Sequence, residues 1–242
     1  MRISLVCLLS AACWAQPPAP PLPPPLRQVA QLIDDYGNTA RYAADNAKIQ
    51  SPAPGEERVV FMGDSITDGW GRGAQPAPFF PGKPYINRGI SGQTTAQMLL
   101  RFYPDVIALQ PKAVLILAGT NDIGGNLGPV TLESIEQNLM AMADMASANH
   151  IKVILASLTP VCDYHRPQTM TRPPEKINAL NRWIKDYTAR KHFTYLDYFN
   201  STVDDKGFFK TEITDDGLHP NAKGYEIMAP LAQQAIDQAL GK

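Results

Sequence analysis

One serine stands where the chain could place a nucleophile. The apolar run 59–62 ends at Gly63, and Asp64 and Ser65 follow before the next helical pattern. At a strand-to-helix junction the first amides of the helix are unpaired and carry partial positive charge, so a serine oxygen there lies close to hydrogen-bond donors. A serine in this place is also a common helix N-cap. This stretch alone supports both interpretations equally.

A base and an acid occur together in the stretch DDGLHPN. Nucleophilic acyl transfer needs a hydroxyl, a base, a carboxylate that orients the base, and donors for the developing oxyanion. Asp216 lies three residues before His219, and Pro220 keeps His219 out of helical geometry. Both side chains can therefore come from one tight loop. Asp215 is a second candidate for the orienting acid, but the spacing favours Asp216.

Phosphate and metal chemistry are poorly supported. Neither G-x-G-x-x-G nor G-x-x-x-x-G-K-[ST] is present, and GWGRG at residues 69–73 has the wrong spacing for both. Asp64 and Asp68 would also repel a pyrophosphate. H-E-x-x-H is absent and the four histidines are scattered, although a carboxylate site formed by Asp64, Asp122 and Asp216 stays open as an alternative. We therefore expect no cofactor and no metal.

From residue 58 onward, short β-rich runs alternate with longer helical patterns. This alternation predicts a three-layer α/β/α domain around a parallel sheet of about five strands. Right-handed crossovers place the carboxyl ends of all strands at one edge, where such sheets bind ligands. The polar stretches follow predicted strands and gather at that edge. The predicted strands are 59–62, 85–87, 113–118, 152–156 and 193–196, and the predicted helices are 94–109, 132–149, 174–191 and 222–240.

Four polar stretches, in this order, resemble the sequence blocks of the GDSL, or SGNH, hydrolase superfamily. The resemblance implies a flavodoxin-like SGNH-hydrolase architecture and a serine hydrolase in which Ser65 is the nucleophile, His219 the base and Asp216 its support. The first block ends in isoleucine where the family name implies leucine, and both residues are apolar. The blocks are GDSIT, NRGISGQTT, GTND and DGLHPN, spanning residues 63–221.

The same resemblance implies an oxyanion hole. Its donors would be the backbone amides of Ser65 and Gly92 and the side-chain amide of Asn121. A glycine lets the backbone approach a substrate closely, and an asparagine amide donates without charge. Taken alone, Gly92 fits an ordinary turn, and Asn121 fits a loop residue that bonds its own backbone. Ser91 is adjacent, but no base is assigned to it.

The predicted activity is ester hydrolysis through an acyl-enzyme on Ser65. We expect a small-molecule or carbohydrate ester as the substrate, with a carbohydrate acetyl ester favoured. A lysophospholipase or thioesterase is the alternative within the class, and a non-catalytic carbohydrate- or envelope-binding module is the alternative outside it. Trp70, Arg72, Tyr164 and His165 are candidate substrate-lining residues, although Trp70 fits packing and His165 fits a solvated loop at least as well.

The first part of the chain predicts export. Residues 1–15 combine an early positive charge, a short apolar run and small residues before a cleavage site, which is typical of a secretory signal. Residues 16–26 contain seven prolines and predict a semi-rigid linker. Residues 27–57 predict a helical segment and 58–242 the hydrolase domain. We expect a periplasmic or secreted protein, with lipid anchoring through Cys13 as the weaker alternative.

The composition limits the partners. The chain has 242 residues, 44% apolar and 19% charged, with a formal net charge of −1. A near-neutral charge gives no electrostatic basis for binding nucleic acid, and no apolar segment is long enough for stable membrane insertion. Removal of the predicted signal leaves only Cys162, so no internal disulfide is expected. The sequence gives no signal for the oligomeric state.

Overall fold

The computed structural model describes residues 26, 29–30, 33–72 and 77–242. The predicted signal and all but the last residue of the predicted linker lie outside these residues. No helix in the described part is both long and apolar enough to cross a membrane.

A parallel sheet confirms the predicted class of fold. The strands are β1 (Val59–Gly63), β2 (Tyr85–Gly89), β3 (Ala113–Leu117), β4 (Lys152–Ala156) and β5 (Thr194–Leu196). They pair in the order β2-β1-β3-β4-β5, all parallel. Every residue of β1 and of β3 is buried, which is why these strands are continuous apolar runs rather than alternating ones.

Helices form the outer layers. The helices are α1 (Ala43–Asn46), α2 (Ser65–Asp68), α3 (Thr95–Asp105), α4 (Thr120–Ile123), α5 (Leu132–Ala148), α6 (Pro174–Lys191), α7 (Phe199–Thr202) and α8 (Ala222–Leu240). Helices α3, α5 and α6 pack beside one another on one face of the sheet, and α8 packs against β3, β4 and β5 on the other.

The prediction of one helix over 94–109 is wrong. Helix α3 ends at Asp105, and a separate 3-10 turn covers Ile107–Leu109. Pro104 cannot donate an i to i−4 hydrogen bond, and Val106 leaves the helical region with φ −127°. Predicted helices 174–191 and 222–240 agree with α6 and α8 residue for residue.

The register of the central strands aligns the parts of the site. Gly63 at the end of β1 pairs with Gly89 at the end of β2 and with Leu117 at the end of β3. The amide of Ile90 then donates to the carbonyl of Gly63 at 3.0 Å. Three loops therefore leave the sheet from the same level, and each carries one of the stretches singled out by sequence.

Candidate active site

Ser65, His219 and Asp216 form a continuous hydrogen-bonded chain. Oγ of Ser65 lies 2.9 Å from Nε2 of His219, and Nδ1 of His219 lies 2.7 Å from Oδ2 of Asp216. An imidazole whose Nδ1 donates to a carboxylate has Nε2 free to accept the serine proton. The arrangement is that of a nucleophile, a base and an orienting acid.

Asp216 is held as an ionised acceptor. Its Oδ1 accepts the amides of Leu218 at 2.9 Å and of His219 at 2.8 Å. Burial acts to raise the pKa of Asp216, but the bonds from the amide and imidazole of His219 outweigh it and lower the pKa. A charged carboxylate at neutral pH fixes Nδ1 as the protonated nitrogen of the imidazole.

The one-turn helix α2 presents Ser65 at the end of β1. Asp64 is the N-cap of this helix, and its Oδ1 accepts the amide of Ile66 at 3.0 Å. The interpretation of Ser65 as the helix cap is therefore wrong, because the preceding carboxylate fills that place and the serine hydroxyl bonds to His219 instead. The Ser65 amide belongs to the first turn, where helix N–H groups lack an intrahelical acceptor.

Asp64 is fully buried beside the nucleophile. Its second oxygen, Oδ2, meets no hydrogen-bond donor among the described residues. Burial raises the pKa of Asp64 to about 6, opposed by the hydrogen bond from the amide of Ile66 and by an electrostatic interaction with His219. Its contacts are those of a structural group that shapes the turn into α2.

Gly92 lies in the loop after β2 and Asn121 in the one-turn helix α4 after β3, and these two segments touch. Gly92 adopts φ +80°, a conformation that glycine reaches without a steric penalty. The buried side chain of Asn121 donates from Nδ2 to the backbone carbonyl of Gln93 at 3.0 Å. An amide nitrogen carries two hydrogens, so this bond leaves the second hydrogen of Asn121 for a ligand at the strand ends.

The loop that carries Gly92 is also tied to α2. Oδ2 of Asp68 accepts the hydroxyl of Ser91 at 2.7 Å and its amide at 3.2 Å. Arg72 forms an ion pair with the same Asp68. The hydroxyl of Ser91 is thus bonded to a carboxylate, a structural contact and not the pairing with a base that a nucleophile requires.

Ser65 and His219 line a cleft of about 610 Å³. Arg72 and Asp215 line it too, so the cleft carries charged groups of both signs beside the hydroxyl. The His219 side chain is 39% exposed, which leaves its imidazole accessible to a substrate. Asp215 accepts a bond from Asn221 at 3.0 Å, whereas the imidazole contacts Asp216.

The prediction that Trp70 lines the substrate cleft is wrong. The residue is 3% exposed. Its ring centroid lies 6.0 Å from that of Phe61, 5.2 Å from Phe80 and 5.0 Å from Tyr225. Because α2 has only one turn, the chain folds back over β1 at once and buries the large ring in the core.

Tyr164 and His165, also candidate substrate-lining residues, are bonded to side chains outside the catalytic loop. The Tyr164 hydroxyl donates to Oδ2 of Asp204 at 2.8 Å, and Nε2 of His165 lies 3.1 Å from Oγ1 of Thr211. Both side chains thus meet polar partners in the chain segment before the catalytic loop, and neither borders the cleft that holds Ser65.

His150 and His192 lie where their position between helix and strand predicted. Both border a separate cavity of about 720 Å³ together with Lys152 and Thr194, the first residues of β4 and β5. This is the amino edge of the sheet, opposite to Ser65.

The carboxylates considered for a metal site are used separately. Asp122 accepts the amide of Thr95 at 2.9 Å and its hydroxyl at 2.6 Å, at the start of α3. Asp64 caps α2, and Asp216 faces His219. Within the described ranges no three His, Cys, Asp or Glu side chains are grouped as metal ligands.

Arg172 is a site residue that the sequence did not reveal. Its guanidinium lies 3.4 Å from Oδ1 of Asn121, with Nη2 as the donor. Burial lowers the pKa of Arg172, and the charges of Asp64 and Asp216 oppose this lowering. It stands in the stretch TMTRPPEK, whose prolines predict only the start of α6; no motif marks the arginine.

Comparison with known proteins places this site in a family. Residues 61–227 match the GDSL-like Lipase/Acylhydrolase family. The chain belongs to this family. A protein from Bacteroides fragilis NCTC 9343, described as an acylhydrolase, has a crystal structure similar to this one, with a TM-score of 0.80 and 41% identity over 85% of this chain and 99% of that chain.

Two relatives with named activities are more distant. An acetylxylan esterase from Geobacillus stearothermophilus is 24% identical over 201 residues, 72% of this chain and 90% of the relative. The esterase TesA from Pseudomonas aeruginosa is 28% identical over 174 residues, 68% of this chain and 80% of the relative. As a member of the GDSL-like family, the present chain is a serine esterase or acylhydrolase, an enzyme that hydrolyses carboxylic esters.

Proposed function

We propose that Ser65, His219 and Asp216 carry out this hydrolysis through an acyl-enzyme. The single observation that supports the assignment most is the unbroken hydrogen-bonded chain from the Ser65 hydroxyl through the imidazole to the carboxylate. Nε2 of His219 accepts the proton as Oγ of Ser65 attacks the acyl carbon. The protonated imidazole then returns the proton to the leaving alcohol oxygen, and a water repeats the sequence to release the acid.

The proposed oxyanion hole consists of the amides of Ser65 and Gly92 and the Nδ2 group of Asn121. Each donor is placed at the carboxyl edge of β1, β2 or β3, which the strand register brings to one level. The donors are fixed before the substrate arrives, so they stabilise the developing negative charge without reorganising. No step requires a cofactor.

The proposed substrate is a short acyl ester of a carbohydrate. The cleft beside Ser65 is lined by Arg72, Asp215 and Asn221 and also by apolar residues such as Ala77 and Ala222. The charged and amide groups can bind the hydroxyl groups of a carbohydrate alcohol part. The relative described as an acetylxylan esterase supports the same substrate class. The second candidate is a lysophospholipase or thioesterase; the relative described as the esterase TesA supports ester hydrolysis and names no acyl chain.

A substrate panel tests both parts of the proposal. Acetylated xylo-oligosaccharides, p-nitrophenyl esters of two to twelve carbons and lysophospholipids would be compared by kcat/KM. We expect the acetyl esters to be cleaved best, and Ser65→Ala to remove activity on all of them while unfolding at the same temperature. Full activity of Ser65→Ala would refute the mechanism, and a preference for long acyl chains would refute only the substrate class.

We also propose that the protein is exported. The signal-like pattern in residues 1–15 supports this. Fractionation of cells that express the chain should find the shortened protein outside the cytoplasm, and a full-length cytoplasmic product would contradict export.

A further inference from the structure

A segment that precedes the family-matched residues 61–227 lies against the loop of the proposed oxyanion hole. The carbonyl of Gly37 accepts a bond from Nε2 of Gln93 at 2.9 Å, and the carbonyl of Tyr36 accepts one from Nε2 of Gln97 at 2.8 Å. The buried hydroxyl of Tyr42 donates to the carbonyl of Gly89 at the end of β2. We call residues 35–46 the docking segment.

Gln93 connects the docking segment to the proposed hole. The side chain is 3% exposed, and both ends of its amide are bonded: Nε2 donates to Gly37, and Oε1 accepts from Nε of Arg101. Its backbone carbonyl accepts the Nδ2 group of Asn121. The preceding residue is Gly92, so Gln93 contacts one of the proposed donors and is next in sequence to another.

The partners of Gln93 are themselves fixed. The fully buried Arg101 forms an ion pair with Asp105 at 3.0 Å. The docking segment is held by Asn46, whose Oδ1 accepts two bonds from Arg88 and whose Nδ2 donates to Asp105 at 2.7 Å. The Arg88 guanidinium also lies 4.5 Å from the ring centroid of Tyr42. A rigid frame on both sides leaves the Gln93 peptide little freedom to rotate.

We propose that the docking segment contributes to catalysis by holding the side chain of Gln93 in place. Gln93 is the positioning residue that sets the place of the Asn121 amide and of the Gly92 loop. This inference rests on the proposed oxyanion hole. A donor helps only when it points at the place that the oxyanion will occupy, and small displacements of a catalytic group lower turnover strongly. Loss of the Gln93 side chain should therefore act on the transition state and not on substrate binding.

The first test replaces the Gln93 amide with an apolar side chain of similar length. Gln93→Met should lower kcat for p-nitrophenyl acetate by about 10- to 100-fold and leave KM within about 2-fold, because only an interaction of the transition state is weakened. The matched control is Gln97→Met, which removes the other buried glutamine bonded to the docking segment. It should lower the unfolding temperature by a similar amount but lower kcat by no more than about 10-fold, because Gln97 contacts the docking segment and neither of the proposed donors. Equal losses of kcat in both variants would overturn the proposal.

A double-mutant cycle separates positioning from a general loss of stability. Asn121→Ala should lower kcat by about 100- to 1000-fold, the usual effect of losing one oxyanion donor. If Gln93 acts through Asn121, then the double variant loses about 10-fold less than the product of the two single effects, because groups that act as a unit are not additive. Effects that multiply would show that Gln93 acts independently of Asn121 and would overturn its role in positioning the Asn121 amide.

Tyr42→Phe covers the case in which Gln93→Met does not fold. The ring stays in its packed place and only the bond from the hydroxyl to Gly89 is lost, so the chain should fold. We expect a 3- to 10-fold lower kcat, on the order of one neutral hydrogen bond, at unchanged KM; a kcat equal to that of the parent would overturn the role of the docking segment. If Asn121→Ala kept full activity, the proposed hole itself would fail, which is distinct from a failure of Gln93.

Discussion

Asp215 and Asp216 are neighbours in sequence with different contacts, and this difference decides their effects. Asp216 accepts Nδ1 of His219, and Asp215 accepts the side chain of Asn221. Asp216→Asn should lower kcat by about 100- to 10,000-fold, because an amide there no longer favours the required tautomer and no longer stabilises the imidazolium. Asp215→Asn is the matched control and should keep kcat within about 3-fold. Steady-state kinetics would check both, and equal losses would contradict the assignment of the acid.

Asp64 should make stability depend on pH in the direction opposite to most carboxylates. Its pKa is raised to about 6 from 3.8 by burial, so the folded chain binds this proton more tightly than the unfolded chain does. The free energy of unfolding should therefore be highest below pH 4 for this group and fall by up to about 3 kcal/mol as pH rises to 6 and above. The free energy of unfolding of Asp64→Asn lacks this slope. Relative to that of the parent, it should therefore rise between pH 4 and pH 7, as measured by urea unfolding.

Asp163 provides the control of opposite sign for this measurement. Bonds from Thr169 and Gln168 lower its pKa, so its contribution is present at neutral pH and is lost as pH falls below about 4. With measurements extended below pH 4, the free energy of unfolding of Asp163→Asn should fall relative to that of the parent as pH rises to about 4, and the two should run parallel above it. If the free energies of unfolding of Asp64→Asn and the parent depended on pH in the same way, folding would not raise the pKa of Asp64, which would contradict the prediction.

At the residue scale, the sequence predicts the candidate catalytic side chains but not the residues that pack around them. The D-x-x-H spacing pointed to Asp216 rather than Asp215, and the structure shows the corresponding contact. Trp70 and Arg172 escaped correct prediction for one reason: whether a side chain is buried or points into the cleft depends on how the short helices turn. Local residue types do not encode that direction.

The loop that carries Asp216 and His219 depends on one glycine. Gly217 adopts φ +82°, and a Cβ built there would lie 2.2 Å from the carbonyl oxygen of Cys162. Its carbonyl also accepts the amide of Cys162 at 2.9 Å, which ties the loop to the chain after β4. The loop can follow this path only without a side chain at position 217.

Gly217→Ala should therefore displace the loop. Gly82 is the matched control, because it has φ +75° but nothing lies within 4 Å of its Cβ position. Gly82→Ala should cost about 1 kcal/mol, the penalty of the left-handed backbone alone. Gly217→Ala should cost more, about 2 to 4 kcal/mol, and lower kcat at least 10-fold. Urea unfolding and kinetics would show this, and equal costs for the two variants would contradict the crowding at position 217.

At the scale of elements, hydrophobic periodicity predicted the long helices and missed the one-turn helices. Helices α6 and α8 and strand β4 have the predicted bounds because each carries a complete apolar pattern. The one-turn helices α2 and α4, which hold Ser65 and Asn121, are too short to show a period. Motifs and strand ends revealed them instead, since polar residues after a buried strand have a known place in this class of sheet.

A single buried arginine joins the parts of the molecule that the site requires. Arg101 in α3 is fully buried and donates to the carbonyl of Gly63 in β1 at 3.1 Å and to that of Arg88 in β2 at 2.8 Å. It also pairs with Asp105, which is buried as well. One cation in α3 therefore holds the ends of β1 and β2 together. Sequence gave no indication of this, because a charged residue in an amphipathic helix normally faces water.

Arg101→Met should destabilise the whole fold. Removing one partner leaves the Asp105 charge buried and unpaired, which typically costs about 3 to 5 kcal/mol. The double variant Arg101→Met/Asp105→Leu removes both charges and should recover about 1 to 2 kcal/mol of that loss, although the carbonyls of Gly63 and Arg88 still lack their donor. The control is Lys191→Met, which breaks an ion pair with Asp144 whose two side chains are 45% and 59% exposed; it should change stability by less than about 1 kcal/mol.

Urea unfolding of these variants, with kcat measured on the folded protein, separates two roles of the ion pair. If Arg101 serves only to fill the core, the double variant should regain stability and turnover together. Because Arg101 also donates to Oε1 of Gln93 and to the end of β1, we expect the double variant to regain part of the lost stability while its kcat stays at least 10-fold below the parent. Full recovery of kcat would mean that the sheet edge keeps its shape without the arginine. A persistent deficit would show that this buried charge is kept for the geometry of the site and not for the stability of the fold.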